Sequence, residues 1–270
     1  MADIDLWQLR ADAIAIVRES RALIRQRIRS DFADRFKDDG SFVTEIDLAV
    51  EALIRQRLGE LTPGIPILGE EEGGSLDDSN GLWVIDPIDG THSLRQRLPL
   101  FGTLLALRRK GRSVLGIIDL PMLDRLYVGA DGFGAQCNGE PIAIRDVPDT
   151  AAVAHEVIGA GGRAQFVAAR CAGVFDRLMR AHRHVRTYTD AFGHGLAVEG
   201  ALGAMVDYDL KPWDVSATEV IVREAGGVFE TVGRAGTGSV RSVNVVFGKP
   251  TVVRWLLAQI GERSPEGSDG

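Results

Sequence analysis

The chain has 270 residues, 45% of them hydrophobic, and a net charge of −7. That is enough apolar material for one or two domains, and the acid excess argues against nucleic acid as a partner, because a phosphate backbone needs a basic face. No apolar run approaches the ~18 residues of a membrane span, and residues 1–5 lack the basic and apolar stretches of a signal peptide, so a cytoplasmic protein is expected.

Leu6, Ala13, Ile14, Val17, Leu23, Ile24 and Ile28 recur at helical spacing and predict a first helix over about residues 4–30. Residues 31–43 are polar and glycine-punctuated, which predicts a loop. A second helix is expected from Thr44, with Ile46, Ala49, Val50, Leu53, Ile54 and Leu58 on its apolar side. Strands are predicted at 65–68, 82–85, 102–108, 114–119 and 125–129, with turns at Gly111 and at 131–134. Further on, the pattern predicts a helix at 163–182, a strand at 184–188, a close-packed helix at 191–203 and a strand at 205–208. A helix at 214–225, strands at 228–230 and 243–247, a helix at 250–261 and a disordered tail from 264 complete it. The glycine-rich 159–162 lacks the spacing of a phosphate loop and reads as a strand end or loop. Cys137 and Cys171 have no metal-ligand spacing and are expected as buried thiols. This order fits helices layered on sheets, α/β or α+β.

The most telling segment is Trp83-Val84-Ile85-Asp86-Pro87-Ile88-Asp89-Gly90-Thr91. A short apolar strand delivers two carboxylates, and Pro87 disfavours helix at Asp86, so a turn is expected there. Such a string is also ordinary turn chemistry. Two acids sharing a site need a cation between them, and Gly90-Thr91 opens a short helix whose N-terminus suits phosphate. Metal-assisted phosphate chemistry is the natural combination. Gly69-Glu70-Glu71 follows another short strand, Lys211-Pro212-Trp213-Asp214 precedes a helix, and residues 37–47 read Lys-Asp-Asp-Gly-Ser-Phe-Val-Thr-Glu-Ile-Asp. Asp214 could be an N-cap, but Ala217 three residues on denies it a capping box. Thr44-Glu45-Ile46-Asp47 fits a capping signature, so a structural role for Asp47 is expected as well.

These four segments, in this order, resemble the inositol monophosphatase family of metal-dependent phosphatases. The resemblance implies a single phosphatase domain over 1–270, a five-layer α-β-α-β-α sandwich that is usually a homodimer. Residues 1–140 would carry most metal ligands, and 141–262 would carry Asp214 and the specificity residues. It implies two to three Mg²⁺ ions held by Glu70, Asp86, Asp89, Asp214 and the backbone carbonyl of Ile88, with Glu71 as an outer partner. Hard oxygen ligands without a nearby histidine favour Mg²⁺ over Zn²⁺. Thr91 and Asp47 would orient the attacking water, with Glu70 completing the catalytic set and Gly90 and Thr91 meeting phosphate. Lys37 and Asp39 would lie on a mobile loop over the metals; a solvated surface lysine is the other expectation for Lys37.

The tract at 98–107, Leu-Pro-Leu-Phe-Gly-Thr-Leu-Leu-Ala-Leu, and Asp190-Ala191-Phe192-Gly193-His194 look more like the histidinol-phosphate phosphatase branch, although Thr189 and Arg97 stand where that branch has glycine. Asp190 and Asp207 are the candidates to face a substrate ammonium, or the hydroxyls of an inositol; Asp190 could also cap a helix. The expected activity is hydrolysis of a small phosphomonoester. Histidinol phosphate leads, inositol monophosphate is the alternative, and a catalytically retired phosphometabolite binder is the contrasting class.

Overall fold

The computed structural model describes residues 5–37, 40–235 and 240–261. Helix α1 (Leu6–Arg27) is capped by Asp5, whose Oδ1 accepts the Trp7 N–H at 3.0 Å. A hairpin, β1 (Asp34–Phe36) and β2 (Phe42–Thr44), follows where a loop was expected. Phe36 and Phe42 are cross-strand partners with ring centroids 4.2 Å apart, and such a pair can hold two short strands that a polar composition conceals. The predicted tail lies outside the described residues.

Helix α2 (Glu45–Leu61) packs beside α1 on one face of a seven-stranded sheet, β3 (Ile67–Gly69), β4 (Leu82–Asp89), β5 (Gly102–Arg109), β6 (Arg112–Leu120), β7 (Arg125–Ala130), β8 (Gly134–Cys137) and β9 (Glu140–Ile142). Strands follow chain order in this sheet, β3 and β4 parallel, the rest antiparallel. Alternation divides the central strands cleanly. Trp83, Ile85, Leu105, Leu107, Leu115 and Ile117 pack with α1 and α2, while Val84, Leu104, Ala106, Ile118 and Leu120 face the opposite layer.

After β4 comes a five-residue helix, α3 (Thr91–Arg95). The second sheet contains β10 (Ile158–Ala160), β11 (Val185–Thr187), β12 (Ala204–Leu210), β13 (Val228–Ala235) and β14 (Ser242–Gly248), in spatial order β11-β10-β12-β14-β13. The expected helix at 163–182 is two, α4 (Arg163–Ala168) and α5 (Ala172–Ala181), because Arg170 adopts φ +57 and breaks the α-helical path. Helices α6 (Asp190–Val198) and α7 (Pro212–Glu224) lie between the sheets, and α4, α5 and α8 (Pro250–Ile260) cover the far face of the second. The result is the expected α-β-α-β-α layering. Helix α7 sits close on β6 and β7 because those strands carry glycine where it crosses: a Cβ at Gly116 would meet the Ala217 carbonyl oxygen at 2.4 Å. Cys137 is buried as expected, but Cys171 is only partly so. Among the described residues no helix is long and apolar enough to cross a membrane.

Candidate active site

The Asp-Pro-Ile-Asp segment does not turn at the proline. Strand β4 runs through to Asp89, with a register shift: Asp86 opposes Leu104, but Asp89 opposes Gly102, three residues against two. In an unbroken strand, residues three apart face opposite sides of the sheet. The bulge re-aims one of them, so that both carboxylates reach one cavity. Pro87 has no N–H to lose from the ladder, and its carbonyl accepts the Thr103 hydroxyl at 2.8 Å. The turn comes at Gly90, in the left-handed region at φ +94, and Thr91 starts α3.

Around this strand end is a cavity of about 110 Å³ whose acid wall is Glu70, Asp86, Asp89 and Asp214, with Ile88, Gly90 and Thr91 beside them. Glu70 stands just after β3, its N–H donating to the Ile85 carbonyl at 3.1 Å. Asp214 is not the N-cap. Pro212 starts α7, one position after Lys211, so Asp214 occupies the third helical position and its Oδ2 accepts the Lys211 N–H at 2.7 Å. Burial pushes the carboxyls of Asp86, Asp89 and Asp214 well above their ordinary range. Neighbouring charge pushes the same way, Glu70 acting on Asp86 and Asp214, and Asp190 on Asp89. Asp86 Oδ1 and Asp89 Oδ2 are buried with no hydrogen-bond partner among the described residues. Orphaned buried carboxylate oxygens in an acid cluster are what a hard cation would satisfy, and the four acids bring only oxygen donors, a set suited to Mg²⁺. Among the described residues no three His, Cys, Asp or Glu side chains already stand close enough together to hold a metal ion.

Lys37 is not a free surface lysine. Its Nζ donates to Glu70 Oε1 at 2.9 Å and Glu71 Oε1 at 2.7 Å. Burial opposes its charge, but the two carboxylates outweigh this and hold its pKa above the ordinary lysine value. Glu71 is itself pushed up to about 7, chiefly by burial. Asp39 lies outside the described residues.

Asp47 combines two contacts. Its Oδ2 accepts the Thr44 N–H at 3.0 Å in a capping box, and its Oδ1 accepts the Thr91 hydroxyl at 3.3 Å. Burial raises its carboxyl to about 6, against the Thr44 hydrogen bonds. Thr91 Oγ1 is also 3.1 Å from the Ile88 carbonyl oxygen.

Asp190 lines the same cavity, in a left-handed conformation at φ +58. No side-chain bond caps α6; Asp190 Oδ2 instead accepts the Thr189 hydroxyl at 2.9 Å. Its carboxyl is raised, mainly by burial, with Asp207 adding to the shift. The wall beyond it is His194 and Gln165, with Asp207 behind. His194 Nε2 is 3.4 Å from Asp207 Oδ2, and its Nδ1 is 2.8 Å from Thr218 Oγ1. Sequence reasoning quoted His194 only as the end of the 190–194 segment and gave neither it nor Gln165 a role in the site. A lone histidine in a helix of small and apolar residues was the available signal for the first. For Gln165 it was the glycine run: a Cβ at Gly161 would meet Asp207 Oδ1 at 2.1 Å and Gln165 Oε1 at 2.8 Å, so only glycine lets those side chains crowd it.

Five layers with an acid-lined cavity beside a bulged strand and a short helix define an α/β protein with an oxygen-rich candidate site. The model of the inositol monophosphatase family matches residues 5–260, and the chain belongs to that family. It is 33% identical over 226 residues to a histidinol-phosphatase of Chlorobaculum parvum, covering 83% of this chain and 85% of that protein. It is 31% identical over 256 residues to the Nus factor SuhB of Escherichia coli K12, covering 92% and 94%. Among solved structures, an inositol monophosphatase from Zymomonas mobilis superposes with a TM-score of 0.79 at 25% identity, covering 96% of this chain and 99% of that one.

Proposed function

We propose that the protein hydrolyses a small phosphomonoester with Mg²⁺ held by Glu70, Asp86, Asp89, Asp214 and the Ile88 carbonyl, and that histidinol phosphate is its preferred substrate. The observation that carries the metal reading is the pair of unpartnered buried oxygens on Asp86 and Asp89 within one acid cluster. When bound, Mg²⁺ supplies the positive charge that the phosphoryl group and its transition state require. The chain's own residues do the rest. Asp47, ionised above about pH 6, accepts the Thr91 hydroxyl proton and turns the Thr91 lone pairs toward the attacking water. Gly90 and Thr91 offer backbone N–H groups at the start of α3 to the phosphate oxygens. Phosphate release from a panel of amino-alcohol, inositol and sugar phosphates, with and without Mg²⁺, tests the activity; no release from any member would place the chain among binders without turnover.

Thr91→Ala should lower kcat by about 10²–10³-fold with little change in KM, the range for loss of a positioned proton-transfer group. Thr91→Ser, which keeps the hydroxyl, should retain activity within about tenfold. Equal losses in both variants would count against this role.

The substrate preference rests on Asp190, with Asp207 behind His194, and on relatives named histidinol-phosphatase. Asp190→Asn should lower kcat/KM for histidinol phosphate by about 10–150-fold, the loss of one desolvated charge-assisted hydrogen bond of roughly 1.5–3 kcal/mol. Inositol monophosphate should be affected less. Structural neighbours that are inositol monophosphatases favour inositol monophosphate as the second reading, and equal losses on both substrates would put it ahead.

A further inference from the structure

Outside the acid cavity, helix α2 carries a stripe of charged residues at four-residue spacing, Asp47, Glu51 and Arg55, the first two buried and the third partly exposed. Asp47 meets Thr91. Glu51 is fully buried, and its partners are backbone groups of the turn that presents Glu70. Glu51 Oε2 accepts the Glu71 N–H at 2.8 Å and Oε1 the Glu72 N–H at 3.0 Å. Arg55 Nε donates to Glu51 Oε1 at 2.8 Å, and Arg55 Nη2 donates to the Gly73 carbonyl at 2.6 Å. The turn is closed on itself by Gly69 and Gly73, each N–H donating to the other's carbonyl, at 3.0 and 3.1 Å. The carboxylate therefore accepts two successive backbone N–H groups, with the guanidinium bridging it to the far end of the turn. Gly69 makes room for this: a Cβ there would lie 2.1 Å from Glu51 Oε1 and 2.7 Å from Arg55 Nη2.

We infer that Glu51 and Arg55 are positioning residues that fix the Gly69 to Gly73 turn, and through it aim the Glu70 carboxylate into the cavity. Neither residue lines the cavity, so neither is a ligand. Their effect is on how much of the metal's binding free energy is lost in ordering Glu70. With the turn held from α2 and from the Ile85 carbonyl, Glu70 is preorganised; without Glu51, two partly buried N–H groups lose their acceptor and the turn relaxes. This inference rests on the metal reading above.

Glu51→Gln tests it, because an amide keeps the volume but offers one acceptor oxygen where the carboxylate offered two. The Mg²⁺ concentration at half-maximal phosphatase activity should rise about tenfold or more, the usual scale for loss of a group that orients a metal ligand. The Mg²⁺ concentration giving half of the Mg²⁺-induced rise in Tm should move by the same factor, while kcat at saturating Mg²⁺ stays within about threefold. Leu58→Ala, a cavity in the same helix, should lower Tm without moving either midpoint. If Glu51→Gln does not fold, Arg55→Lys keeps the charge and loses the bond to Gly73, and should move both midpoints about threefold. Unmoved midpoints in the folded variant, or an equal movement in Leu58→Ala, would overturn the inference. A wild-type protein whose activity and Tm ignore Mg²⁺ would instead overturn the metal reading itself.

Discussion

Replacing Asp89 by asparagine should reduce phosphatase activity by at least about 10³-fold while leaving the fold intact. Asp89 is buried, its Oδ2 has no hydrogen-bond partner among the described residues, and Asp190, Asp214 and Glu70 all act on its charge. In the proposed Mg²⁺ site a carboxylate there would neutralise a divalent cation, and an amide is a neutral, weaker ligand. A thousandfold loss corresponds to about 4 kcal/mol of transition-state stabilisation, a reasonable scale for weakening a metal site. The measurement is kcat/KM on the best phosphomonoester at saturating Mg²⁺, with circular dichroism to confirm the fold. Retention of more than a tenth of wild-type activity would remove the bulged strand from the metal site.

Stripping the protein of divalent metal should make its stability fall as pH rises, and Mg²⁺ should reverse the loss. The carboxyls of Asp86, Asp89 and Asp214 are raised in the folded state, first by burial and then by neighbouring charge. A carboxyl with a raised folded-state pKa holds its proton more tightly than the unfolded chain does. Its contribution is therefore fully present below the ordinary value of 3.8 and is lost as pH climbs through the raised folded-state values. Mg²⁺ at a hundredfold excess over its Kd contributes about 2.7 kcal/mol, which is roughly 5–10 °C in Tm for a chain of this size. The Tm gap between Mg²⁺-loaded and metal-free protein should widen from pH 5 to pH 8, and Asp89→Asn should narrow it. A gap of constant size over that range would contradict the coupling between proton and metal at this cluster.

Much of this was legible in one chain. The apolar periodicities placed most of the helices and strands, and the Glu70, Asp86-Pro87-Ile88-Asp89 and Asp214 segments marked the acids before any geometry was known. These are local signals: helix spacing, proline's fixed φ and glycine's left-handed turn act within a few residues. The break at Arg170 inside the expected helix and the β1–β2 hairpin were missed, because a left-handed arginine and a short polar hairpin leave little local signal.

What the sequence determined by itself was the identity and order of the acids. What only the tertiary structure decided was which way they point. The bulge that brings Asp86 and Asp89 to one side is a property of the pairing between β4 and β5, in which Asp86 opposes Leu104 and Asp89 opposes Gly102. The start of α7 at Pro212, earlier than the apolar pattern suggested, puts Asp214 in the first turn rather than at the cap position that pattern also allowed. Glu51 and Arg55 read along the chain as an ordinary i,i+4 ion pair, the kind that decorates exposed helices. Packing against the turn at 69–73, about twenty residues away, buries Glu51 completely and Arg55 in part. A charged side chain's face on a helix is written in the sequence; whether that face meets water or backbone donors depends on contacts between distant segments, which no local pattern encodes.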